Sequence, residues 1–162
     1  MAKQKKNEPS KNVKTNDTII TDNRKARFEY EILETLECGL LLLGSEVKSL
    51  RAGKISLEEA YARVQNDEVW LVNCDIPEYK QATIWNHEPK RLRKVLMHRR
   101  EVLKFAKQAR EKGLTLVPLK LYFNERGLAK LLLGLCRGKK MHDKRESIKS
   151  RDLERDMKRY LR

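Results

Sequence analysis

Three histidines, His87, His98 and His142, are the side chains best suited to proton transfer near neutral pH, and two imidazoles acting as acid and base could cleave RNA. They fall in a loop, at a helix start and in a charged tail, and no carboxylate is spaced to orient any of them. No catalytic residue is expected, and the chain reads as a non-enzyme. Cys38, Cys74 and Cys136 are odd in number and widely separated, without a C-x-x-C pair. That spacing points to small buried hydrophobes rather than a disulfide framework or a zinc site, so no metal or other cofactor is expected. The remaining chemistry is cationic. Lys90, Arg91, Arg93 and Lys94 put four positive charges in one short run outside a helix, where they repel each other unless an anion sits among them. Phosphate is one such anion.

The whole composition points the same way. The chain has 162 residues, with 37 Lys and Arg against 23 Asp and Glu, so 37 − 23 gives a net charge of +14. Nucleic acid, an anionic membrane or an acidic protein could each answer that excess. The sequence has no run near the roughly 18 apolar residues of a spanning helix. The Met-Ala-Lys-Gln-Lys-Lys start also lacks the apolar stretch of a signal peptide. A cytoplasmic protein with no membrane partner is expected.

The elements that must position these cations read as follows. Residues 1–22 are poor in apolar side chains, a composition expected to form a disordered basic arm. Residues 25–36 alternate as a half-buried strand, Glu37-Cys38-Gly39 reads as a turn, and Leu40 to Leu43 as a second strand. A short helix capped by Ser45 and ended by Gly53 places Lys48 and Arg51 on one face, either solvated or facing phosphate. Residues 57–65 and 68–76 make a hairpin across Asn66-Asp67. Residues 77–96 read as a long basic loop. A helix from His98 to Lys112 has Glu101 in a capping box, a buried stripe of Val102, Leu103, Ala106 and Ala109, and Gly113 as its stop.

Residues 114–123 and 127–136 close the fold as a hairpin, with Pro118 demanding an edge or a bulge. Trp70 reads as core and Trp85, in the basic loop, as exposed. The expected fold is mainly β with two or three helices: a small oligonucleotide-binding-type antiparallel β-barrel, with a two-sheet α+β sandwich as the alternative. Three parts are expected: the arm 1–22, an RNA-binding barrel 23–137 and a basic tail 138–162. In the tail Ile148, Leu153, Met157 and Leu161 recur at spacings of four and five, a weak amphipathic helix that would be marginal alone and would form against a partner.

Six strings then occur in order: N-R-K-A at 23–26, E-C-G-L at 37–40, G-S-E-V-K-S-L-R-A-G-K at 44–54, N-H-E-P-K-R-L-R-K-V-L at 86–96, V-P-L-K-L-Y-F at 117–123 and G-K-K-M-H-D-K-R-E at 138–146. Together they resemble the signature blocks of small protein B, the family of SsrA-binding proteins of trans-translation, from about residue 23 to the C-terminus. The segment Leu57-Glu58-Glu59-Ala60-Tyr61 and the pair Cys74-Asp75 depart from the usual pattern.

The resemblance implies a barrel that holds the tRNA-like domain of transfer-messenger RNA, and a tail that enters the empty messenger channel of a stalled ribosome. The implied partners are that RNA and the 16S ribosomal RNA of the decoding centre and messenger channel, with the protein a monomer. Glu37 would accept from a base edge or hold a neighbouring cation; on its residues alone it reads as a turn carboxylate paired to a strand lysine. Leu96 and His98 would abut the RNA elbow, where the plain readings are a core leucine and a helix cap. Lys25, Lys48, Arg51, Arg91, Arg93 and Lys94 would supply phosphate contacts. Lys139, Lys140, His142, Asp143, Lys144 and Arg145 would meet the ribosome, with the His142 ring able to stack on a base. The alternative function is a generic β-barrel RNA-binding protein or a ribosome-assembly factor.

Overall fold

The computed structural model describes residues 17–82 and 86–160. Its elements run β1 Thr18–Asp22, α1 Arg24–Glu29, β2 Tyr30–Leu40, α2 Gly44–Arg51, β3 Tyr61–Gln65, β4 Glu68–Val72, β5 Arg93–Leu96, α3 Arg99–Lys112, β6 Thr115–Phe123, β7 Ala129–Gly138 and α4 Met141–Tyr160. Every strand pairing is antiparallel. The pairings run β6–β3–β4–β5–β2–β7 and return to β6, a closed ring, with β1 added alongside β6. The closed antiparallel architecture expected from the sequence is therefore present, with a seventh strand and further helices.

Local signals account for several elements. Asn66 and Asp67 both take left-handed backbone angles, φ 52° and 57°, the two-residue turn whose twist suits a hairpin. The Glu101 carboxylate accepts the His98 backbone N–H at 3.1 Å at the start of α3, and Gly113, at φ 58°, ends it. Pro118 sits at an irregularity in the β6–β7 register, which accommodates a residue without an N–H inside the sheet.

Four expectations are corrected. Residues 24–29 are helix, and β2 then runs unbroken through Glu37-Cys38-Gly39, each residue paired with β7, so no turn divides it. Short alternation suits either period, and Asn23 decides: its Oδ1 accepts the Ala26 N–H at 2.9 Å while its Nδ2 donates to the carbonyls of Leu57 and Pro118. Strand β1 lies inside the stretch read as an arm and pairs with residues 120–123 of β6; residues 1–16 lie outside the described ones. The basic loop ends in a strand, β5, one pairing away from both β2 and β4. On α3, Leu103 is exposed and Phe105 is buried beside Val102.

Inside the ring, alternate residues of the strands meet Leu50, Leu57, Val102 and Phe105 from the helices and loops in one core. A second, smaller cluster, Ala26, Val117, Leu119, Leu132 and Cys136, lies between α1 and the β6–β7 pair. Burial pushes the thiol of Cys136 up to about 11, so it stays protonated and inert at neutral pH. Gly134 lets these strands close: a Cβ there would lie 2.8 Å from Leu119 Cδ1 and 3.0 Å from Cys136 Sγ. Gly134→Ala should therefore destabilise the fold by about 1–3 kcal/mol through overpacking. Denaturant unfolding measures this, and an unchanged midpoint would show that Leu119 yields freely.

Helix α4 continues from β7 for 20 residues. Its root is anchored on α1, where the Lys139 N–H bonds the Glu29 carbonyl at 2.9 Å and Lys139 Nζ the Arg27 carbonyl at 3.2 Å. The Lys140 N–H donates to the Asp143 carboxylate at 3.1 Å, closing the first turn. Met141, Ile148, Leu153 and Met157 are all exposed, so the apolar face of α4 remains open to solvent.

Candidate nucleic-acid interface

Strand alternation divides β2 and β5 into an inner set, Cys38, Leu40, Arg93 and Val95, and an outer set that includes Glu37, Gly39, Lys94 and Leu96. Leu96 stands opposite Gly39 in the ladder. A Cβ at Gly39 would lie 3.2 Å from Leu96 Cβ, so the missing side chain lets Leu96 lie across the strand. Leu96 is 47% exposed, an open apolar surface rather than the core position its type suggests. His98 follows at the exposed N-cap of α3.

Glu37 is held from two sides on this face. The Tyr122 hydroxyl donates to its Oε2 at 2.5 Å, and Lys130 Nζ lies 3.3 Å from its Oε1. Tyr122 is almost fully buried; burial, and then the Glu37 carboxylate, push its pKa well above the usual phenol value, so the phenol remains a donor. Glu37 is thus paired to a strand lysine but fixed mid-strand rather than in a turn. The bond to Tyr122 leaves no trace in local sequence pattern.

The basic run has a different geometry from the one its composition suggests. Arg93 is fully buried. Its Nε donates to Glu46 Oε1 at 2.8 Å, Nη1 to the carbonyls of Cys74 and Arg91, and Nη2 to that of Pro89. This corrects the expectation of a phosphate contact at Arg93, because every donor nitrogen faces the protein. Arg91 grips the same carboxylate, Nε to Oε1 at 2.7 Å and Nη2 to Oε2 at 2.5 Å, and remains partly exposed. Lys94 is paired with Glu68. The anion that the cluster demands is supplied first by the protein.

Glu46 was not singled out by sequence, although its N3 position on α2 is a capping signal: Oε2 also accepts the Leu43 N–H at 2.7 Å. Burial alone would raise its carboxyl. The Arg91 hydrogen bond, the Leu43 donor and the charges of Arg93 and Arg91 outweigh that and hold it below the usual carboxylate range. Nearby, His87 is buried with Nε2 at 2.9 Å from the Ile76 carbonyl and Nδ1 at 2.9 Å from Ser45 Oγ. The carbonyl can only accept, so Nε2 donates to it, while Nδ1 shares a hydrogen bond with the serine hydroxyl. Ser49 Oγ donates to the Pro77 carbonyl at 2.6 Å. The blocks at 44–54 and 86–96 are therefore a single bonded unit.

The other expected contacts lie apart. Lys48 and Arg51 are exposed on α2, Lys48 with its Nζ 5.6 Å from the centre of the Tyr79 ring. Arg51 borders a groove of about 400 Å³ with Ile19 and Phe123. Lys25 is exposed on α1 beside a cleft that also carries Glu29, Glu58 and Glu59, an acidic setting for a phosphate ligand. Lys139 and Lys140 form the root of α4, and Asp143, Lys144 and Arg145 its first turns. His142 occupies the second position of that helix, and its side chain lies outside the described ones. Trp85 is likewise outside the described residues.

Fold and site together define a small, strongly basic protein: a closed antiparallel sheet, a helical C-terminal extension, and an outer margin where an exposed leucine sits among fixed charges. Within that class the chain belongs to the SmpB family, whose SmpB protein model matches residues 20–162. The SsrA-binding protein of Rhodopirellula baltica is 56% identical over 158 residues, 98% of this chain and 86% of that protein. The SsrA-binding protein of Bartonella henselae is 59% identical over 144 residues, 89% of this chain and 91% of that protein. Among solved structures, a chain from work described as "tmRNA-SmpB: a journey to the center of the bacterial ribosome" superposes with a TM-score of 0.64 at 49% identity, covering 79% of this chain and 93% of that one.

Proposed function

We propose that this protein binds the tRNA-like domain of transfer-messenger RNA, the SsrA RNA, and delivers it to stalled ribosomes for trans-translation. The observation that carries this reading is Leu96. It lies open across Gly39, with the fixed Glu37 and the exposed His98 both toward one end of that strand pair, in a chain whose relatives are SsrA-binding proteins. An exposed apolar side chain beside a rigid carboxylate and an imidazole suits a folded RNA that displays unstacked base faces and edges. The exposed cations Lys48, Arg51 and Lys25, with partly exposed Arg91, supply the surrounding positive field.

The ring 23–137 and the extension from residue 138 have separate tasks in this reading. The ring holds the RNA, and the extension, with Lys139, Lys140, His142, Asp143, Lys144 and Arg145 at its base, meets the ribosomal RNA of the empty messenger channel and decoding centre. The protein acts by binding and positioning in the cytoplasm, not by catalysis. The locked ring of His87 supports this, since both nitrogens are committed to Ser45 and Ile76. Among the described residues no helix is long and apolar enough to cross a membrane.

The test is a gel-shift titration against the isolated tRNA-like domain with an unstructured RNA of equal length as competitor. Tight binding that survives the competitor is expected, together with a clear loss in Leu96→Asp. Equal, salt-labile binding to both RNAs would reduce the protein to a generic basic RNA binder.

A further inference from the structure

The outer face of the ring continues beyond Leu96 in a direction the proposed contacts do not use. Register places Trp70 opposite Arg63 on one side and opposite Lys94 on the other. Leu41 comes next, its N–H bonded to the Lys94 carbonyl at 3.0 Å. The alternate residues Ala62, Val69, Leu71 and Val95 are buried inside the ring, so this row faces outward. Tyr61, 39% exposed, lies diagonal to Trp70, and Leu92, 43% exposed, lies two residues before Lys94 on the same face.

Trp70, expected in the core, is half-buried on this outer face. Its indole is flanked on the neighbouring strands by two cations. Lys94 is balanced by Glu68, whereas Arg63 is exposed and has no ion pair among the described residues. Leucines alone would suit many partners. An indole between cations, in a chain of charge +14, suits a stacked base with phosphates to either side.

We infer that the RNA footprint extends from Leu96 across β5 and β4 to Trp70 and Tyr61, where unpaired bases stack while Arg63 and Lys94 meet the adjoining phosphates. This rests on the reading that the protein binds structured RNA. It adds a stacking platform to that surface and assigns Arg63 as a phosphate contact that the basic run does not contain.

The test uses the full chain with Trp85→Phe, leaving Trp70 as the only indole. The tRNA-like domain, end-labelled, is titrated while its anisotropy and the Trp70 emission are followed together. Quenching of Trp70 at the anisotropy midpoint is expected. In the parent chain, Trp70→Leu should weaken binding roughly fivefold to a hundredfold, the range for loss of a stacked base. Arg63→Glu, at an exposed site, should lower the salt slope by about one, as for loss of one phosphate contact. If anisotropy rises while Trp70 emission stays constant and Arg63→Glu binds as the parent does, the platform is wrong and RNA binding stands. If anisotropy does not rise, the RNA-binding reading fails and the platform with it. An emission change that follows protein concentration without RNA would mean that a second copy covers this face, which also overturns the inference.

Discussion

Glu46→Ala should lower the stability of the fold by about 3–5 kcal/mol, because it strands a buried guanidinium without its counter-charge. Arg93 is fully enclosed and Arg91 partly exposed, and both direct their Nε at Glu46 Oε1. Urea unfolding at neutral pH reads the loss, and a change below about 1 kcal/mol would show that the two arginines find other partners. The double change Glu46→Leu with Arg93→Met should recover much of it, since a packed apolar pair avoids the desolvation cost. The pH dependence has a definite sign. The Glu46 carboxyl is held below its ordinary 4.5 in the folded chain, so its contribution is complete above that value and fades as pH falls through the folded one. The gap between parent and Glu46→Ala should therefore narrow in acid below about pH 4.5 and remain constant from there to neutrality.

The second large effect concerns the extension. Ending the chain at Lys140 should abolish peptide tagging on stalled ribosomes while leaving binding to the isolated tRNA-like domain nearly intact. The reason is structural. Helix α4 meets the rest of the protein at its root, through Lys139 on α1, and its apolar residues stay exposed, so the ring loses little when it is removed. Tagging in a reconstituted translation system with a stop-less message reads the first half, and gel shift the second. Tagging at the full-length level would overturn the division of labour between ring and extension.

The Glu46 arrangement also marks where sequence reasoning stops. Elements set by neighbours in the chain were legible: the Asn66-Asp67 hairpin, the Glu101 cap and Gly113 stop of α3, and the β6–β7 hairpin. Elements set by distant partners were not. Strand β1 is a short segment at the end of a polar stretch, and residues 120–123 offer it a ladder while Ile20 packs on the core. Strand β5 reads as loop because its basic residues hide a buried position, and the carboxylate that makes Arg93 a core residue is 47 positions away. The family blocks marked Arg91 and Arg93 as functional, but much of that signature is architecture. The double change Arg91→Ala with Arg93→Ala would mix lost binding with unfolding, so exposed Lys48 and Arg51 are cleaner probes of phosphate contact. By sequence Leu96 reads as either a core leucine or an RNA contact, and only the strand pairing shows the glycine opposite it and its exposure.

The junction at Gly138 and Lys139 has a mechanical meaning. A helix of 20 residues extends about 30 Å, so it works as a lever whose fulcrum is the pair of bonds from Lys139 to α1. A tilt of roughly 10° at that fulcrum would swing the far end by about 5 Å, close to one helical pitch. A Cβ at Gly138 would meet nothing within 4 Å among the described residues, so the junction itself is loosely packed. Motion at the tip can then be transmitted back to α1, and through the Asn23 cap to the carbonyl of Pro118 in β6, which couples the end of the lever to the wall of the ring.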